Sequence, residues 1–98
     1  MGYTVTLSPS ARRDLRDIVR YISFDSPDRA VAFGHFLISN TKRLTDFPQL
    51  GRVVPEFENS LIREIIVRSY RVVYRIDDRN QRIEVIRFWH TARGNPAI

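Results

Sequence analysis

Between Ile62 and Trp89 three stretches with strand character follow one another with almost nothing between them: Ile62–Val67, Tyr70–Asp77 and Arg82–Trp89. Arg68-Ser69 separates the first two, and the polar run Asp78-Arg79-Asn80-Gln81 joins the second to the third. Linkers of that length are hairpin loops, so an antiparallel meander is the predicted centre of the fold. In its middle strand Val72, Tyr74 and Ile76 alternate with Arg71 and Arg75 at the two-residue period of a strand. One sheet face is therefore apolar and buried. The other presents fixed positive charge, and arginine binds phosphate in a forked geometry that lysine cannot copy.

Upstream, Tyr3-Thr-Val-Thr-Leu7 alternates cleanly and reads as a short first strand. Ser8-Pro9 supplies a capping hydroxyl followed by proline at the first helical position. Leu15, Ile18, Val19 and Ile22 then recur at helical spacing, and this helix is predicted to end near Phe24. Ser26-Pro27 repeats the start signal for a second helix running to about Thr45. Phe33, Leu37 and Leu44 form its buried stripe, with Phe36 at the edge. Two helices with so short a link pack as an antiparallel hairpin. Phe47-Pro48 closes the helical region, Arg52-Val-Val54 forms a short extended piece, and Pro55–Asn59 is a loop by composition. The expected order is βααβββ in one domain, residues 1–98: an α+β fold with an antiparallel sheet and the two-helix hairpin packed on one face. The first strand must pair with a later one, because a lone strand is not stable. The sheet face away from the helices, partly wrapped by the Gly51–Asn59 loop, is where function is expected.

Composition narrows the chemistry. With no cysteine, disulfides and thiolate metal sites are excluded. Two histidines 55 positions apart do not make a metal cluster. The absence of a Gly-rich phosphate loop points to no cofactor. No apolar run approaches the roughly 20 residues of a membrane span, and the chain reads as soluble and cytoplasmic. Its net charge is +5, and fifteen of its sixteen basic residues are arginine. A nucleic acid or an acidic protein partner fits that balance.

Several motifs in order carry a resemblance: Phe47-Pro48-Gln-Leu-Gly51-Arg52-Val-Val-Pro55-Glu56-Phe57, then Ile62-Arg63-Glu64, Tyr70-Arg71-Val-Val-Tyr74 and a closing His90-Thr-Ala-Arg93. Together they resemble the RelE/ParE superfamily of toxins from type II toxin–antitoxin modules. The resemblance implies a cognate antitoxin as partner and one of two mechanisms. RelE-type members, including the YoeB branch, cut mRNA within the ribosome. ParE-type members poison DNA gyrase without a recognised nuclease site. Glu56, Arg71 and His90 match the YoeB-like nuclease pattern. The wording around His90-x-x-Arg93 is closer to the ParE group, and Thr91 stands where the nuclease branch has an aromatic residue.

The trio is also chemically sufficient. Metal-free RNA cleavage needs a base for the 2′-hydroxyl, an acid for the leaving oxygen, and positive charge for the transition state. Glu56 and His90 supply base and acid in either order. Arg71 stabilises the developing charge, with Arg52, Arg63, Arg75 and Arg93 as further phosphate contacts. The leading expectation is thus ribosome-dependent mRNA cleavage at a site without metal, and the alternative is gyrase poisoning. A plainer reading of Arg71 and Arg75 pairs them with Glu64 and Glu84 across strands. Trp89 is read as core, and His35 as surface or edge packing.

Overall fold

Serine and proline start both helices as the sequence demands. In the computed structural model, which describes residues 2–98, the Ser8 hydroxyl accepts from the Ala11 N–H at 3.0 Å and Ser26 from Arg29 at 3.3 Å. Helix α1 spans Pro9–Ser23 and α2 spans Pro27–Lys42. A tighter 3-10 turn, Arg43–Thr45, then carries the helical path to the expected end. The helices meet closely at Gly34, where even a Cβ would lie 3.0 Å from Val19. The outer surface of α1 keeps Arg12, Arg13, Arg16 and Arg20 exposed. Among the described residues no helix is long and apolar enough to cross a membrane.

Five strands form one sheet: β1 (Thr4–Leu7), β2 (Arg52–Val53), β3 (Ile62–Val67), β4 (Tyr70–Asp77) and β5 (Arg82–His90), in the order β1-β5-β4-β3-β2. The meander stands as expected, and the first strand does pair with a later one. It does so in parallel, however, Thr4–Leu7 running beside Arg82–Val85. The sheet is mixed, which corrects the all-antiparallel expectation. The reason is the route of the chain. The hairpin returns to the end where β1 begins, tied there by Tyr3 N–H to the Thr45 carbonyl at 2.8 Å. β3 then sets off in the direction of β1, and two tight turns later β5 runs that same way.

Two apolar clusters sandwich the sheet. On the helix side Ala11, Ile18, Leu37 and Leu44 pack against Ile65, Val67, Val72, Tyr74, Ile76, Ile83, Val85 and Phe88. On the outer side Val54, Ile62, Val73 and Ile86 form a smaller cluster with Phe57, so the loop after β2 is held by its own hydrophobic anchors.

One irregularity in β5 decides which side chains meet. Ile83 faces Ile76 and Val85 faces Tyr74, but Val73 faces Arg87, leaving Ile86 as an extra residue in the ladder. A β-bulge of this kind reverses the facing of every later side chain. Unbroken alternation from Ile83 would send His90 to the outer face. With the bulge, Phe88 and His90 turn toward the helices, and Trp89 turns outward opposite Arg71.

Candidate functional site

The outer face is built on Glu64, whose side chain is fully buried beneath two arginines. Register puts Arg52 of β2 directly opposite it, and Arg52 donates from Nε at 2.7 Å and from a terminal nitrogen at 2.6 Å. The Arg71 Nε donates to the other carboxylate oxygen. Both terminal nitrogens of Arg71 then grip Glu56 in a fork, each contact 3.0 Å. A longer bond of 3.4 Å reaches the Gly94 carbonyl, which also accepts from the Trp89 indole at 3.1 Å.

Arg71 and Glu56 thus meet as expected, but as partners of one another. The Arg71 side chain is 10% exposed, and its charge is divided between two carboxylates. Hydrogen bonds from Arg71 hold the Glu56 carboxyl below the usual carboxylate range. The same bond, with help from Glu64, pushes the Arg71 guanidinium up despite burial. A carboxylate stabilised in its ionised form inside a guanidinium fork is a poor proton acceptor. A guanidinium with its fork filled has little left for a phosphorane. The chemistry of this cluster is that of a clasp fastening the Pro55–Glu58 turn to the sheet.

The remaining predicted residues lie apart. Arg75 pairs loosely with Glu84 at 3.5 Å on the same face. Arg52, Arg71 and Arg75 are thus answered on that face by Glu64, Glu56 and Glu84. The expected row of free positive charge is therefore absent there, and the cross-strand pairing of Arg71 with Glu64 and Arg75 with Glu84 is what the structure contains. Arg63, opposite Tyr74, turns to the helix side and donates to the Gly51 carbonyl at 3.0 Å. Its buried Nε has no hydrogen-bond partner among the described residues. Arg93 lies with its guanidinium carbon 3.9 Å from the centre of the Trp89 ring. That ring is buried, as read from sequence, and carries Arg87 as well, at 4.7 Å.

His90 does not join Glu56 and Arg71. It stands across from Tyr70 on the helix side, ring centroids 5.1 Å apart and nearly perpendicular. Its Nδ1 accepts from the Ala92 N–H at 3.0 Å. The convergence of residues 56, 71 and 90 on one surface is thereby replaced by a pair on one face and an imidazole on the other. The bulge at Ile86 is the physical cause. Among the described residues no three His, Asp or Glu side chains are grouped so as to hold a metal ion.

Two largely apolar surfaces lie away from the predicted trio. A furrow on the outside of the hairpin is lined by Leu15 and Val19 of α1 and Val31, Gly34, His35 and Ile38 of α2. At the hairpin tip a groove opens between Phe33 and Phe36 of α2 and Tyr70 and His90 of the sheet, beside the β3–β4 turn. Tyr21 and Phe24 next to it are 78% and 79% exposed, too much apolar ring for an idle surface. The signal was present as aromatic residues off the buried stripe.

A family model described as ParE toxin of type II toxin-antitoxin system, parDE, matches residues 5–94. No curated protein matches the chain. Among solved structures it is similar to the chromosomal ParDE system of P. aeruginosa, with a TM-score of 0.73 at 18% identity over 90% of this chain and 95% of that one. It is also similar to the RelBE2 toxin–antitoxin complex of Mycobacterium tuberculosis, with a TM-score of 0.63 at 26% identity over 92% and 99%. A free mutant of the toxin RelE from E. coli gives a TM-score of 0.69 at 16% identity over 96% and 88%. At such identities the P. aeruginosa and E. coli chains are likenesses of fold.

Proposed function

Because the chain belongs to the ParE toxin family of type II toxin–antitoxin systems, within the RelE/ParE superfamily, we propose that it arrests growth as a ParE-type toxin, by binding DNA gyrase and without cutting RNA. The observation that carries this reading is the separation of His90 from Glu56 and Arg71 by the thickness of the sheet. Cleavage without metal needs acid and base about one phosphate, each within hydrogen-bond reach of its proton. Here one candidate lies outside the sheet and the other beneath it. Transition-state charge would also need a free guanidinium, and Arg71 is already matched by Glu56 and Glu64.

A cognate antitoxin is the partner this family implies. The furrow between α1 and α2 suits an apolar segment of such a partner, and the exposed Arg12, Arg16 and Arg20 offer its acidic groups salt bridges. Co-expression with the product of the neighbouring reading frame is expected to give a stable complex.

The test is a pair of assays on one preparation. Purified protein is expected to block DNA supercoiling by gyrase or leave cleaved-complex DNA, and to leave mRNA on programmed ribosomes intact. Codon-linked cuts in the mRNA with supercoiling unaffected would reverse the assignment and restore the ribonuclease.

A further inference from the structure

Arg68 sits in the left-handed backbone region, φ 56°, within the two-residue turn between β3 and β4. Glycine or asparagine adopts that conformation at lower cost. An arginine kept there points to use of its side chain. Its guanidinium carbon lies 4.6 Å from the centre of the Phe36 ring, at the mouth of the hairpin-tip groove.

That groove encloses about 590 Å³, within the range of pockets that take one small ligand. Its floor is aromatic: Phe33 lies 6.3 Å from Phe36 and 5.7 Å from Tyr70, centre to centre. Its polar lining consists of groups able to donate, and no carboxylate is among them. Arg68 and Ser69 come from the turn and Arg29 from α2, the last paired with Asp25 at 3.2 Å. His90 adds a fourth donor. Since its Nδ1 accepts from Ala92, the neutral ring carries its proton on Nε2, and Nε2 makes no hydrogen bond among the described residues. The acidic Asp14 and Asp17 line an adjoining cleft, on the α1 side of Tyr70 and His90, which the two hollows share.

Flat apolar rings bounded by donors without acceptors match a ligand that is itself flat at one end and anionic at the other. We propose that this groove binds a nucleotide, its base stacked on Phe36 and the Arg68 guanidinium plane and its phosphate held by Arg68, Ser69 and His90. A protein segment is the weaker fit, since the donors cluster at one end and the furrow between the helices, apolar but for His35, lies elsewhere. The inference stands apart from the identity of the toxin's target, because it concerns a ligand and not an outcome in the cell.

Titration of the full chain with adenosine 5′-monophosphate, followed by NMR, tests it. Amide shifts are expected at Phe36, Arg68, Ser69, Tyr70 and His90, with saturation in the millimolar range or below. Adenosine alone and inorganic phosphate alone should each bind at least roughly tenfold more weakly, the worth of one stacking or charge contact. Phe36→Ala should weaken binding by about the same factor. Arg68→Gly separates binding from folding: it relieves the left-handed strain, so thermal stability holds or rises while nucleotide affinity falls roughly tenfold. Undiminished affinity in Arg68→Gly, equal shifts with inorganic phosphate, or no shifts in the groove would overturn the proposal. So would an acidic peptide that binds there when the nucleotide does not.

Discussion

Glu64 lies wholly beneath Arg71 and Arg52, and Arg71 bonds to it through Nε while spending its fork on Glu56. Deleting Arg71 therefore strands a buried carboxylate with one remaining, largely exposed partner. Arg71→Ala is expected to cost about 3 kcal/mol of stability, as breaking buried pairs does, and to lower Tm by roughly 12 °C or more. Urea melts give the first number and calorimetry the second. Replacing both Arg71 and Glu64 with leucine should cost less than Arg71→Ala alone, since no fully buried charge is then left unpaired and the freed Glu56 and Arg52 both reach solvent. Additive losses would mean that the two charges are not coupled. Loss of toxicity in Arg71→Ala is thus no evidence of catalysis unless stability is measured beside it.

Acid should release the clasp. The folded Glu56 carboxyl has its pKa depressed by Arg71, below the unfolded value of 4.5. Its contribution is therefore complete above that value and is lost as pH falls through the lower, folded one. Hydrogen exchange at Val54 and Phe57, whose amides bond to the carbonyls of Ile62 and Val54, is the readout. Referred to intrinsic rates, protection there should fall in acid before that of β4 and β5. In Glu56→Gln it should be low already at neutral pH. Equal protection in the two proteins across the range would show that the clasp does not hold the loop.

Removing the bulge should cost little more than its own side chain. Deletion of Ile86 leaves Val85 opposite Tyr74 and Arg87 opposite Val73, so Phe88 and His90 still face the helices. The Arg87 pairing with Asp14, at 2.7 Å, persists. What is lost is Ile86 from the outer cluster with Val54, Ile62 and Val73, a truncation worth about 2–5 kcal/mol. Urea melts are expected to show a lower midpoint with cooperative unfolding retained. A deletion variant with Phe88 exposed to solvent would contradict this register.

Gly51 admits no side chain. A Cβ there would run into the Glu64 carbonyl and come within 2.8 Å of the Tyr74 hydroxyl oxygen. That hydroxyl accepts from the Gly51 N–H at 2.9 Å and donates to the Pro48 carbonyl at 2.7 Å. Gly51→Ala should cost about 1–3 kcal/mol, read as a lower denaturation midpoint at unchanged m-value.

What could be read from sequence follows from which signals are local. Capping serines, prolines and helical spacing lie within a few residues of what they control, so α1 and α2 fall where expected. The direction of β1 depends on where the hairpin returns the chain, a long-range fact that alternation does not encode. The bulge is hidden for another reason. Ile83, Val85, Ile86, Phe88 and Trp89 include two adjacent apolar pairs, and a strand buried on both faces gives that pattern whether or not a residue is extra. Facing was therefore correct for Arg71 and Arg75 and wrong for His90, seven positions beyond the last unambiguous residue, Ile83. Glu56 was placed near Arg71, but its capture by the guanidinium depends on how Val54 and Phe57 seat the loop.

The ion pairs of the outer face have an electrical consequence. Arg52, Arg71 and Arg75 are answered there by Glu64, Glu56 and Glu84, so these six side chains add nothing to the surplus of +5. That surplus is spread over arginines elsewhere in both halves of the chain, and it will draw the molecule toward a polyanion from a distance before contact. Raising ionic strength should slow that encounter far more than it loosens the final grip.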